Sequence, residues 1–395
     1  MSWSETEFEN LYSASSKNGL TRPARVRGSG YKMINMGELF ANDRIGDICM
    51  ELVPMNEKEL STMLVEPSDL LFARQSLVLS GAGKCSIVQS ANEPTTFESH
   101  IIRVRLNRQI ADPAFYYYYF RSPICRIRSI VTQGVQAGIR ANDLKKLIVH
   151  VPDIASQQRI ASILSAYDDL IENNRRRIQL LEEAARLLYR EWFVHLRFPG
   201  HEHAKIVDGV PEGWEKKTLG EIADITMGQS PKSVYYNEEG NGLPFHQGVT
   251  NFGVRFPSHQ TYCTVQNRVA EPGDILFSVR APVGRINLTA DKIVIGRGLA
   301  AIRSNRNQQN LLFYALKSHF FKDDIMGGGT IFASVTKKEL YEVELMQPTD
   351  RVAKMFIEYV RPIDLQIENL QQTIDSLTKA RDLLLPRLMN GEIAV

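Results

Sequence analysis

Between residues 156 and 193 the apolar positions fall at Ile160, Leu164, Tyr167, Ile171, Ile178, Leu181, Ala185, Leu188 and Trp192. Their spacing alternates four and three, and Asn174 fills the one gap in the seam. A seam kept up for about five heptads predicts a coiled-coil helix. A second series reads Phe356, Val360, Ile363, Ile367, Leu370, Ile374, Leu377, Leu384 and Leu388, with Arg381 at the remaining seam position. Ser156 stands at the expected N-cap of the first helix, with Arg159 in place of the glutamate of a capping box. Pro362 predicts a kink or a fresh start after the opening turns of the second helix. Pro386 and Gly391 predict its end.

The two series lie 196 residues apart, and the same offset recurs elsewhere. FYYYYFRS at Phe115–Ser122 matches LLFYALKS at Leu311–Ser318, and Pro152 matches Pro348. Earlier in the chain Asp69–Phe72 returns as Asp274–Phe277 at an offset of 205, and Ile34–Gly37 as Phe245–Gly248 at 211. The first copy therefore carries extra residues in its early loops. A repeat implies one similar unit per copy. Within the first copy Lys145–Val151, Leu77–Leu79 and Ile101–Leu106 read as short strands and Asp112–Arg121 as a helix. The stretch FPGHEHAKIVDGVPEG reads as a linker. Because the first helix leads into the second unit, the second helix can meet it only by running back. The predicted class is α+β: two repeated mixed α/β domains separated by two long antiparallel helices forming a coiled coil, with a pseudo-twofold axis. Residues 1–152 and 214–348 are the expected domains, 153–197 and 349–395 the expected spacer helices, and 198–213 the linker.

Composition is that of an ordinary globular protein, with a net charge of only +2. Charge is local instead: between His100 and His150 nine Arg and Lys face only Asp112 and Asp143. Such an excess suits a phosphate backbone, and a solvated face balanced by acids elsewhere is the plain alternative. Four cysteines without CxxC spacing point to a reducing compartment, and no apolar run approaches the roughly 20 residues that span a bilayer. A cytoplasmic protein is expected. The run Phe115–Phe120 invites base stacking, yet its counterpart is mostly aliphatic, so it reads as a packing helix. Arg175, Arg176 and Arg177 read as a solvated face or a partner contact.

Catalytic motifs are missing. No Pro-Pro dipeptide occurs, which excludes the Asn/Asp-Pro-Pro-aromatic loop of amino-methyltransferases. Gly81-Ala82-Gly83-Lys84 is followed by Cys85 rather than Ser or Thr and reads as a tight turn. Asp143-Leu144-Lys145 has no second carboxylate placed with it. His201 and His203 lack further ligands at suitable spacing, so no metal is expected.

Several segments together resemble the specificity (S) subunit of type I restriction-modification systems. They are VPEGWE at Val210–Glu215, GQSPKSVYYNEEGNGLPFHQG at Gly228–Gly248, GDILFSVRAPVGRINL at Gly273–Leu288, QQRIASILSAYDDLIENNRRRI at Gln157–Ile178 and ARDLLLPRLMNGEI at Ala380–Ile393. The first unit, beginning YKMINMGELF, departs by lacking a Gly-Trp-Glu opening. The resemblance implies two target-recognition domains, each reading half of a split, asymmetric site in double-stranded DNA. It also implies helices that set the spacer and dock methyltransferase subunits, two in number, with endonuclease/translocase subunits joining for restriction. S-adenosylmethionine, ATP and Mg would then be used by those partners, and no cofactor bound by this chain.

Base readout needs bidentate side chains on loops that can approach a groove. In the first unit these are Arg74, Gln75, Ser76, Lys84, Gln133, Gln136, Arg140 and Asn142. In the second they are Gln229, Ser230, Gln247, Arg280, Arg297, Thr330, Ser334 and Lys337. Turn-stabilising or solvated roles compete at each, and Lys and Arg more often hold phosphates than bases. A single-chain nuclease or methyltransferase with a dispersed active site, and an adaptor that binds protein only, are the readings from other classes.

Overall fold

The computed structural model describes residues 3–134, 136–320, 334–393 and 395. The chain forms two compact units, one of residues 1–175 with 372–395 and one of residues 176–371.

The first unit opens on the strand Ser4–Glu7, antiparallel to Ile148–Val151. The second opens on Glu215–Thr218, antiparallel to Glu344–Gln347. Trp3 precedes the one and Trp214 the other, at the offset of 211. The first unit has no Gly-Trp-Glu, but it too opens on a tryptophan, in Ser2-Trp3-Ser4. Ser2 in place of glycine hides it in the sequence.

Behind the opening, Tyr12–Asn18, Ile101–Leu106, Leu70–Ala73 and Cys85–Val88 are successive neighbours in one sheet. In the second unit Ala223–Met227, Leu299–Ser304, Ile275–Ser278 and Ile286–Leu288 follow the same order. Each unit also has a parallel pair at an equivalent place, Tyr31–Ile34 with Thr95–Phe97 and Leu243–His246 with Ile293–Ile295, and the first unit has a further one, Arg44–Ile45 with Ile87–Val88. The central strands, LLFA and ILFS, are buried along their whole length because both faces are covered. An ion pair braces the same corner in both: Arg105 meets Asp69 at 2.8 Å and Arg303 meets Asp274 at 2.5 Å.

Asp112 caps the helix Pro113–Arg121 by accepting from the Phe115 amide at 2.9 Å, with proline at its start. The six aromatic side chains from Phe115 to Phe120 are no more than 6% exposed. They form a packed core element, as Gln309–Phe320 does in the second unit.

The first long helix spans Ile154–Tyr189 and ends in a π turn at Arg190–Val194. Its cap is Asp153 rather than Ser156: the Asp153 carboxylate accepts from the Ser156 amide at 2.9 Å and its hydroxyl at 2.7 Å. The second long helix runs unbroken over Asp350–Met389, through both Pro362 and Pro386. Neither proline ends it or starts a fresh segment. Pro362 and Glu358, whose carbonyl a proline four residues on cannot reach, both lie on an exposed face of the helix.

Ile160, Leu164, Ile171, Asn174, Ile178, Phe356, Val360, Ile367, Leu370 and Ile374 are buried along the predicted seam. Tyr167, Leu181, Leu188, Ile363, Leu377 and Leu384 are half-buried, and Asp168 rather than Tyr167 takes the buried place. In the first unit Ile160 and Leu164 share a core with Leu388 and Met389, while Asp168 meets Arg381. In the second, Phe356 contacts the rings of Tyr189, Trp192 and Phe193, with centroids 5.0 to 5.8 Å away. Within each unit numbers rise along one helix as they fall along the other, so the helices are antiparallel.

Two strand expectations fail in part. Leu77–Leu79 is an exposed loop, since nothing covers either face. Lys145 ends the short helix Ala141–Lys145, and the strand begins only at Ile148.

Candidate nucleic-acid interface

In the first unit the strand Gln75–Ser76, the hairpin arm Ala137–Gly138 and the arm Thr132–Gln133 form a small sheet. Ser76 pairs with Ala137, and Gln133 with Ala137 from the other side. This gathers Arg74, Gln75, Ser76, Gln133 and Gln136 on one patch, with both hairpin glutamines exposed. Not all are equally available. Ser76 is 9% exposed and its hydroxyl accepts from the Val78 amide at 3.2 Å, a turn bond. Arg74 is half-buried and donates to the Ser99 carbonyl at 3.3 Å. Lys84 donates to the Phe40 carbonyl at 2.7 Å and pairs with Asp43 at 3.0 Å. Burial pushes the Asp43 carboxyl up, but Arg121 and Lys84 outweigh it and hold it at about 2. Arg140 and Asn142 are exposed at the start of the helix Ala141–Lys145. Arg140 and Thr336 occupy the same N-cap position in their units.

In the second unit Gln229, Ser230, Gln247 and Arg297 come together. The Ser230 hydroxyl donates to Gln247 Oε1 at 2.7 Å and accepts from the Arg297 amide at 3.2 Å. The Gln229 amide donates to the Ile295 carbonyl at 3.0 Å. Gly228 makes this approach possible: a Cβ there would stand 2.2 Å from the Gly296 carbonyl oxygen. Gln229, Gln247 and Arg297 are all exposed. Arg280 bridges Ser334 through the backbone, and Lys337 lies over the Tyr341 ring at 5.1 Å. Thr330 lies outside the described residues.

Beside Gln247 sits a histidine chain. His246 Nε2 and His259 Nδ1 are 2.9 Å apart, and His259 Nε2 lies 3.1 Å from Asp291. Burial, then the neighbouring His259, lowers His246 to about 4.

The excess of positive charge between His100 and His150 does not form one surface. Arg103 is 4% exposed and donates to the Leu64 carbonyl at 2.6 Å. Arg105 pairs with Asp69, Arg121 with Asp43, and Arg128 holds three loop carbonyls. The chain spends much of that excess on its own turns.

Sequence reasoning missed a second class of residues, those that fasten each head to its helices. In the second unit the Arg255 side chain is 1% exposed; it donates to Glu182 at 2.5 Å, to Asp364, and to the Tyr314 hydroxyl at 2.8 Å. Lys317 adds a bond to Glu182 at 3.1 Å. In the first unit Tyr118 and Arg381 converge on Asp168 at 2.7 and 2.6 Å, and Arg44 reaches Asp169 at 2.6 Å. Tyr118 and Tyr314, like Asp168 and Asp364, are separated by the repeat offset of 196, a signal that was available in the sequence.

Among the described residues no group of three or more His, Cys, Asp or Glu could hold a metal ion. Nor, among them, is any helix long and apolar enough to cross a membrane.

Two copies of one head, each with its own exposed loop cluster, match one known family. The profile of the type I restriction modification DNA specificity domain fits residues 16–183 and again 211–379, and the chain belongs to that family. It is 30% identical over 402 residues to a Methanocaldococcus jannaschii protein assigned as the specificity subunit of the type I restriction enzyme MjaX, covering 100% of this chain and 94% of that protein. It is 23% identical to the Haemophilus influenzae type I restriction enzyme HindI specificity subunit, over 83% of this chain and 87% of the relative. The crystal structure of the type I restriction-modification S subunit from M. genitalium, 18% identical, superposes over 98% of this chain and 96% of that one with a TM-score of 0.59. That likeness supports the fold.

Proposed function

We propose that this chain is the DNA-specificity subunit of a type I restriction-modification complex. Each unit reads one half of a split, asymmetric site in double-stranded DNA through its loop cluster. The long helices set the spacer and dock two methyltransferase subunits, and endonuclease/translocase subunits join that assembly. The chain itself is non-catalytic and works in the cytoplasm. S-adenosylmethionine, ATP and Mg serve the partners. The observation that carries this reading is the duplication of one head with different loops at equivalent places, which suits two unlike half-sites on one duplex.

The test is exchange of residues 214–347 for the matching segment of a relative, followed by methylome sequencing of cells carrying the complete system. One half of the methylated motif changes and the other stays. Change in both halves, or DNA cleavage or methylation by the purified chain without partners, overturns the reading.

A further inference from the structure

Leu77, Val78 and Leu79 are 85%, 59% and 51% exposed, three apolar side chains in succession facing water. Such a run is unusual on a surface that meets nothing. The loop that carries them is braced. Arg128 donates to the carbonyl oxygens of Leu79, Ser80 and Ala82 at 3.0, 2.7 and 3.2 Å. Ser76 holds the Val78 amide from below. Gly83 turns the chain at φ +77°, where the Ile127 side chain leaves a Cβ only 3.0 Å. A tip already fixed in this way needs little further ordering when it meets a partner.

The surroundings say what that partner is. Residues 70–85 and 122–142 pack together around the tip and contain Arg74, Lys84, Arg126, Arg128 and Arg140, without one Asp or Glu. Asp43, from a neighbouring loop, pairs with Lys84, and Asp168 and Asp382, which line the same hollow as Val78 and Ser80, are both held by Arg381. The exposed amides of Gln133 and Gln136 lie on the hairpin that pairs with the strand leading into the tip. An apolar point ringed by amides and guanidinium groups complements base surfaces flanked by phosphates. At the equivalent place in the second unit the strands Ile275–Ser278 and Ile286–Leu288 are joined by the shorter loop Val279–Arg285, whose apolar residue Val279 is buried.

We propose that Leu77–Leu79 is an apolar wedge that packs against bases, onto thymine methyl groups or an opened base step, in the half-site read by the first unit. This rests on the DNA-reading assignment above.

The test uses the chain assembled with its methyltransferase subunits and a duplex bearing the motif that the complex methylates. The variant replaces Leu77, Val78 and Leu79 together by Ser. Its Kd rises about tenfold at every salt concentration. The slope of log Kd against log salt stays that of the wild type, because no phosphate contact is lost. Arg140→Gln, by contrast, lowers that slope by about one. Leu77→Ser alone, at the most exposed position, weakens binding in the same direction and guards against a folding artefact. Unchanged affinity in both variants overturns the wedge, as does a weaker affinity that comes with a flatter slope. Loss of the methyltransferase subunits from the variant complex assigns the tip to a protein contact and also overturns it. Failure of the wild-type complex to bind any duplex sinks the parent reading instead.

Discussion

The Tyr118 hydroxyl donates to the Asp168 carboxylate at 2.7 Å, and 196 residues later Tyr314 donates to Asp364 at 2.6 Å. One bond between head and helix thus survives in both copies while the cations around it differ. In the first unit Arg381 arrives from the other long helix; in the second Arg255 arrives from the head itself. Duplication kept the hydroxyl-to-carboxylate geometry and let the counter-charge come from wherever the local packing allowed.

Arg255→Met leaves Asp364 without its guanidinium partner and Glu182 with Lys317 alone. Loss of one partner of a buried ionic cluster costs about 3–5 kcal/mol, and denaturant unfolding followed by tryptophan fluorescence should show that loss. Replacing Glu182 and Asp364 by apolar residues of similar volume in the same chain restores most of it. An Arg255→Met variant as stable as the parent would contradict the assignment.

Tyr118→Phe and Tyr314→Phe each remove one hydroxyl and should cost about 1 kcal/mol. Asp168→Asn should cost more than Tyr118→Phe, because Arg381 also loses its charged acceptor. A double-mutant cycle between positions 314 and 364 isolates the pair from the rest of the cluster. Zero coupling there would reduce the bond to a bystander.

His246 gives stability a pH dependence of known sign. Its ordinary value of 6.5 is lowered to about 4 in the fold. Between these two values the unfolded chain holds a proton that the folded chain refuses, so stability falls as pH drops from 6.5 towards 4 and levels off below. The window corresponds to roughly 3 kcal/mol at most. His246→Gln flattens this dependence, which stability measured from pH 4 to 8 would reveal. A wild-type curve already flat over that range removes His246 from the account.

Inserting seven residues into each long helix, after Arg175 and after Gln371, lengthens both by about 10 Å. That is close to three base pairs at about 3.4 Å per step. The motif read by methylome sequencing should keep both half-sites and gain that number of unspecified bases between them. An unaltered gap would mean the helices do not set the distance.

The repeat, the seam and the aromatic core helix were legible in the sequence because each depends on spacing along one chain. The departures have a common cause in tertiary context. Asp153 displaces Ser156 as cap because its carboxylate reaches both donors of Ser156. Pro362 does not interrupt the second helix, and it stands on an exposed face where no packed neighbour needs its missing amide. Asp168 takes a buried place that periodicity gave to Tyr167, since a hydroxyl and a guanidinium await it there. The clustered arginines of residues 100–150 were counted as surface, whereas their partners, Asp69, Asp43 and loop carbonyls, lie far away in sequence. The reading loops were located by their glycines and amides, but which amide meets which base is not written in one chain.

Leu388 and Met389 are wholly buried in the same core as Phe8, Tyr116 and Ile160. During synthesis, then, the earlier-made module stays unfinished until Leu388 and Met389 have been added, while the later-made one has all its parts in hand by residue 371. A ribosome that stalls between residues 372 and 388 would release a chain whose second head is sound and whose first lies open to proteases.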